Sequence, residues 1–182
     1  MASSGPDPSP RAREIVAAAR ELLEEEGYEA LSMRRLAERL GIRASSLYKH
    51  LPNKRALETA LVAAGFEEWL KAFETAAVAA DSLPALVRAY RTYALEHPAL
   101  YRLMTERPLD RAGLPAELEE RTAGPIVAAA GGDADLARAM WAFAHGMTIL
   151  ELNGRFPEEA DLDAAWARGA EALARYRPAP DA

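Results

Sequence analysis

The sequence predicts an all-α protein of about nine helices: a three-helix N-terminal head joined by a long helix to a helical C-terminal body. Three observations carry this. Ala, Leu, Arg and Glu dominate a chain that is 50% hydrophobic and 27% charged, and its apolar residues recur at helical spacing. No stretch shows the alternating, β-branched pattern of a strand. Gly and Pro stand between the periodic segments and seldom within them.

Residues 1–10 hold seven Pro, Gly or Ser residues and read as a disordered tail. Helix one spans about Arg11 to Glu26, with Ile15, Val16, Ala19, Leu22 and Leu23 inward and Gly27 as a left-handed cap. Its last turn carries Glu24-Glu25-Glu26, acids at the end where the helix dipole disfavours them. Ser32 suits the N-cap of a second helix, Met33 to Leu40, which Gly41 closes. A third helix runs from about Ala44 to Leu51 and stops at Pro52-Asn53. The long helix then starts near Lys54 and reaches Ala80.

Pro84 fits the first turn of the next helix, which ends before His97-Pro98. A shorter helix covers Ala99 to Glu106. Another spans Glu117 to Ala130, with Pro125 as a start or kink. Gly131-Gly132 breaks the pattern. Asp133 to about Asn153 and Asp161 to Tyr176 are the last two helices, and residues 177–182 read as a frayed tail. The corresponding division is a tail at 1–10, a head at 11–57 and a body at 58–177.

Bulk properties exclude several functions. With no cysteine, the chain has no disulfide, thiolate nucleophile or cysteine-based zinc site. The N-terminus lacks the apolar core of a signal peptide, and no run of about 18 apolar residues suggests a membrane span, so a soluble, cytoplasmic protein is expected. No phosphate-loop, dinucleotide, nucleophile-elbow or HExxH motif occurs. None of His50, His97 and His145 has a Glu three residues before it, as a di-iron bundle requires. Neither catalysis nor a metal or cofactor is expected.

The net charge of −6 hides an uneven distribution. Between Ser32 and Arg55 seven bases (Arg34, Arg35, Arg39, Arg43, Lys49, Lys54, Arg55) face one acid, Glu38. A basic block in an acidic chain marks either a polyanion-binding surface or a solvated face. Within it, two short helices turn at Gly41 as in a helix-turn-helix. Leu36, Ala37, Leu40, Ile42, Leu47 and Leu51 pack inward, leaving Arg43, Ala44, Ser45, Ser46, Lys49 and the edge of Tyr48 outward. Short residues at the start of the second of these helices would let it sit deep in a major groove.

This segment closely resembles the TetR family of bacterial repressors. The family pattern is matched at Ser32, Leu36-Ala37, Gly41-Ile42, Leu47-Tyr48-Lys49-His50-Leu51 and Lys54, with Leu51 in place of the usual Phe. The resemblance implies that Ser32 bonds a phosphate and that Arg34 reaches a guanine edge. It further implies that Ala44, Ser45, Ser46 and Lys49 face bases, while Tyr48, His50 and Lys54 clamp the backbone. Arg43 stands where a small or polar residue is frequent, which adds a phosphate contact or alters base choice. For Tyr48 and His50 the alternative is core packing and a surface imidazole; for Arg35 and Arg39, a solvated face. The stretch Trp141-Ala-Phe-Ala-His-Gly-Met147 resembles the Trp-His-Gly pattern of one group of TetR-type C-terminal domains.

What the resemblance implies for the whole protein is a repressor that binds a pseudo-palindromic operator as a homodimer and is released by a small-molecule effector. Helix Asp133–Asn153 is apolar on more than one side, so it lies in the core or against a partner. The resemblance puts Trp141, Phe143, Leu150, Trp166 and Leu173 in a dimer interface. Phe66, Trp69, Tyr90, Tyr93, Tyr101, Met104 and Trp141 are candidates for a ligand pocket or, alternatively, core aromatics.

Overall fold

The computed structural model describes residues 9–78 and 82–176, and among these it is helical without a strand. Nine helices follow in order: α1 (Pro10–Glu26), α2 (Met33–Arg39), α3 (Ala44–Leu47), α4 (Lys54–Ala77), α5 (Ser82–Glu96), α6 (Pro98–Thr105), α7 (Leu118–Ala129), α8 (Ala134–Leu152) and α9 (Leu162–Ala174). Short 3₁₀ turns lie at Tyr28–Ala30 and Arg111–Gly113. No helix among the described residues is long and apolar enough to cross a membrane. The expectations for residues 1–8, for Ala79 and Ala80 and for the tail at 177–182 lie outside the described residues.

Several helix ends differ from the sequence reading by a residue or more, and two of these shifts have a clear local cause. α1 starts at Pro10, because Ser9 caps it by accepting the Ala12 N–H at 3.2 Å and proline at the first position wastes no donor. α3 ends at Leu47 instead of Leu51. There the Leu47 carbonyl accepts both the His50 and Leu51 N–H groups at 2.9 Å, so the chain continues as tightened turns.

The chain forms two compact units, one of residues 1–67 with 97–119 and the other of residues 68–96 with 120–182. In the first, α1 packs on α2 and α6, and α2 on α3. Ile15, Ala19, Leu22, Leu23, Leu36, Leu47, Leu57, Leu61, Leu100 and Tyr101 form its core, each 4% exposed or less. At the N-terminus of α6 the Glu24 carboxylate accepts the N–H groups of Ala99 and Leu100, both at 3.0 Å. It thereby satisfies donors that His97, at the cap position, leaves unbonded through its own side chain.

In the second unit, α5, α8 and α9 pack on one another. Trp69 meets Tyr90, Phe73 and Tyr93 at ring-centroid distances of 4.9, 5.7 and 5.7 Å. Arg91 of α5 grips Glu151 of α8 at 2.7 Å and Asp163 of α9 at 2.5 Å, and Trp166 Nε1 donates to Glu151 at 3.2 Å. Gly169 lets α9 lie against the Phe143 ring, which occupies the space a β-carbon would need. Asp133 and Asp161 cap α8 and α9. Pro125 falls inside α7, whose C-terminus closes at Gly131 and Gly132 with positive φ.

Candidate nucleic-acid interface

Ser32 is extended and its hydroxyl accepts the Arg35 N–H at 3.2 Å, which fixes the start of α2. The end of α2 is equally determined. Gly41 adopts φ 64°, the Ile42 N–H donates to the Ala37 carbonyl at 3.0 Å and the Gly41 N–H to Glu38 at 3.1 Å. This paired bonding is a Schellman motif, which needs a left-handed residue at Gly41. It turns the chain directly into α3.

Leu47 is fully buried, Leu51 nearly so, and Ala37 lies against the same core. With these anchors inward, Arg43, Ser45, Tyr48, Lys49 and His50 are exposed, and Ala44 and Ser46 half-exposed. Tyr48 is 50% exposed, so core packing does not describe it. Arg34 is exposed on α2, while Ser32 and Lys54 are half-buried at helix starts. The ten residues expected at the interface therefore follow one continuous stretch across α2, α3 and the first turn of α4.

Ion pairing redraws the basic block. Arg39 bonds Glu25 at 2.7 Å and Glu21 at 3.3 Å, Arg35 pairs with Glu26, Arg55 with Asp110 at 2.9 Å, Arg34 with Glu38 at 3.7 Å and Lys54 with Glu58 at 3.8 Å. Five of the seven bases thus have acidic partners. Arg43 and Lys49, at the start of α3 and on the turn that follows it, have none among the described residues. Unneutralised positive charge is concentrated where the outward polar side chains are. The Arg34 pair is widely solvated and holds its guanidinium only weakly.

Lys54 sits in a cluster that sequence reading missed. Its ammonium lies 4.1 Å from the centroid of the Tyr28 ring, which Arg107 also covers at 3.4 Å. The Tyr28 hydroxyl donates to Glu58 at 2.6 Å, and that bond raises the phenol pKa above its ordinary value. Asn53 caps α4 by accepting the Ala56 N–H at 2.8 Å; an Asn just before a helix start was a legible signal for this. Arg107 lies more than 70 residues from Tyr28, and Asp110 lies 55 from Arg55; no local pattern points to them. Beside them, Thr59, Val62, Leu103 and Leu109 help line a cleft of about 280 Å³.

None of the expected pocket residues lines that cleft. Phe66, Tyr101 and Met104 are buried in the first unit, and Trp69, Tyr90 and Tyr93 are buried ring against ring in the second. Trp141, in the second unit, is 47% exposed. Of the expected interface residues, Trp141 and Leu150 present open apolar surface, while Phe143 and Leu173 are partly covered. Trp166 is buried within its own chain, with the Phe143 ring edge-on at 5.6 Å. No group of three or more acidic or histidine side chains among the described residues is arranged to hold a metal ion.

Comparison with known proteins agrees with this geometry. Residues 15–61 match the family of bacterial regulatory proteins of the tetR type, and residues 83–173 match the tetracyclin repressor-like C-terminal domain. The chain belongs to the TetR family. An uncharacterized HTH-type transcriptional regulator of Mycobacterium tuberculosis is 29% identical over 84% of this chain and 74% of its own length. An HTH-type transcriptional regulator of Saccharopolyspora erythraea is 37% identical over 67% of this chain, an alignment spanning about half of that relative (51%). Among solved structures, a TetR variant from Acinetobacter baumannii in complex with minocycline has a TM-score of 0.64 and 26% identity. That match covers 91% of this chain and 97% of the other. The protein is thus an HTH-type transcriptional regulator of the TetR family.

Proposed function

We propose that this TetR-family protein is a repressor that binds a pseudo-palindromic operator as a homodimer and releases it when a small molecule binds the body. The observation that carries the DNA-binding part is the outward surface of α3 and its flanks. There Arg43 and Lys49 are the bases without acidic partners among the described residues, beside the exposed Ser45, Tyr48 and His50. In this reading Ala44, Ser45, Ser46 and Lys49 face base edges. Ser32, Tyr48, His50 and Lys54 hold phosphates and set the register, which carries no sequence information itself. Arg34 reaches a guanine, and Arg43 adds a backbone contact.

The head is assigned to residues 11–57 and the body to residues 58–177. Dimerisation is assigned to α8 and α9, on the strength of the exposed Trp141 and Leu150 with Phe143 and Leu173 beside them. A dimer would set two copies of α3 about 34 Å apart, one turn of B-DNA. Support for ligand control is the tetracycline-class complex of the Acinetobacter relative and the aromatic content of the body. Release by a thousandfold would require about 4 kcal/mol of coupling between the two sites.

Selection of bound sites from random duplex DNA tests the proposal. Enrichment of two inverted half-sites about one helical turn apart supports both operator reading and dimer geometry. Recovery of no common sequence would count against the proposal, and a tight small-molecule binder that leaves operator affinity unchanged would contradict the release step.

A further inference from the structure

The run Glu24-Glu25-Glu26 lies where a helix dipole disfavours acid, and recognition of DNA by α3 gives it no role. Glu24 is explained by its bonds to the start of α6. Glu25 and Glu26, with Glu21 one turn earlier, instead face α2. Arg39 donates to Glu25 at 2.7 and 2.9 Å and to Glu21 at 3.3 Å, and Arg35 donates to Glu26. Three carboxylates of α1 therefore engage two arginines on the helix that leads into α3.

We propose that Glu21, Glu25 and Glu26 are specificity-determining residues of the DNA-binding head, withholding Arg35 and Arg39 from the nucleic-acid backbone. This rests on the DNA-binding reading above. Phosphates are the same at every sequence, so each base that reaches one tightens binding everywhere. A complex held in register by base contacts gains little from a cation off its contact surface. A complex on unrelated DNA has no such register and shifts to use whatever cation is available. With Arg35 and Arg39 engaged, the unpaired charge of the Ser32–Arg55 block is left, among the described residues, to Arg43 and Lys49, at the reading surface. The hydrogen bonds from Arg39 lower the Glu25 pKa, the direction expected of a carboxylate engaged by an arginine.

The rival explanation is that these pairs only brace α2 against α1. It is separable, because a brace fails equally whichever partner is removed. The test uses the full chain, fluorescence anisotropy on a duplex lacking the selected half-sites, and a salt titration. One variant carries Glu21→Gln, Glu25→Gln and Glu26→Gln; its companion carries Arg35→Gln and Arg39→Gln and loses the same ion pairs. The acid variant should bind unrelated DNA about threefold more tightly or better. Its log K against log salt slope should steepen by about 0.9 for each freed arginine that finds a phosphate. The companion should keep the parental slope. Glu29→Gln, exposed on the same head and unpaired among the described residues, controls for net charge and should leave the slope unchanged.

Should the triple variant lose its helical circular dichroism, Glu25→Gln alone, which leaves Glu21 and Glu26 in place, is expected to steepen the slope by a smaller step. Equal behaviour of the acid and arginine variants, or an acid variant no steeper than the parent, overturns the proposal. Absence of saturable DNA binding by the parent would instead overturn the DNA-binding reading itself.

Discussion

α2 and α3 are neighbours in sequence and in space, yet they treat their bases in opposite ways. On α2, Arg34, Arg35 and Arg39 are each matched to a carboxylate. At α3, Arg43 and Lys49 stand without one among the described residues, next to exposed hydroxyl and imidazole groups. The difference teaches that a basic stretch is not uniformly a binding surface. Charge that is already neutralised holds helices together, and the remainder is available to a ligand. The compact unit built on α5, α8 and α9 gives a further contrast, because there Arg91 and Glu151 form a largely covered ion pair beside Trp166 and its loss should be far more costly.

The largest effect is expected in that unit. Phe73 is 1% exposed and meets both Trp69 and Tyr90, so Phe73→Ala should lower stability by about 3–5 kcal/mol in urea unfolding. Arg91→Ala should cost about 3 kcal/mol in the same measurement, since Glu151, with a side chain 13% exposed, loses its cation. Gly169→Ala forces a β-carbon into the Phe143 ring and should cost about 2 kcal/mol. A calorimetric midpoint equal to the parent for any of these would show that the packing inferred around that residue is wrong.

On the DNA-binding side, Lys49→Ala should leave stability within about 0.5 kcal/mol of the parent, as an exposed substitution does. It should weaken operator binding about tenfold and relax base preference, which a competition assay with altered half-sites reads directly. The smallest effect concerns acid. Arg55 holds Asp110 below its ordinary carboxylate pKa through two hydrogen bonds. A lowered folded-state pKa stabilises above the unfolded value and is lost as pH falls through the folded one. Asp110→Asn should therefore make stability slightly less pH-dependent below about pH 4, seen as a flatter melting-temperature profile.

Local signals made much of the fold legible. Gly41 announced a left-handed corner, Ser32 announced a cap, and the periodic Leu and Ala of α1 announced its buried stripe. Their meaning is fixed within a few residues of sequence, which is why nine helices could be anticipated closely. The outward residues of α3 were legible for the same reason, because Leu47 and Leu51 fix which side faces the core. Partners distant in sequence were not. Glu24 reaches residues 75 and 76 positions away, and Asp110 pairs with Arg55 across 55. The interleaving of α6 with the head follows from such contacts. Charge counting likewise gave the basic block its sign, but only the folded geometry separates spent charge from free charge.

The central claim is that the free cations at α3, and not Arg35 and Arg39 of α2, meet DNA. Its most direct test is the salt dependence of operator binding for Arg43→Ala beside Arg39→Ala. The slope of log K against log salt should become shallower by up to about 0.9 per subunit for Arg43→Ala and stay parental for Arg39→Ala. An equal loss of slope in both variants, or a loss confined to Arg39→Ala, would contradict the claim.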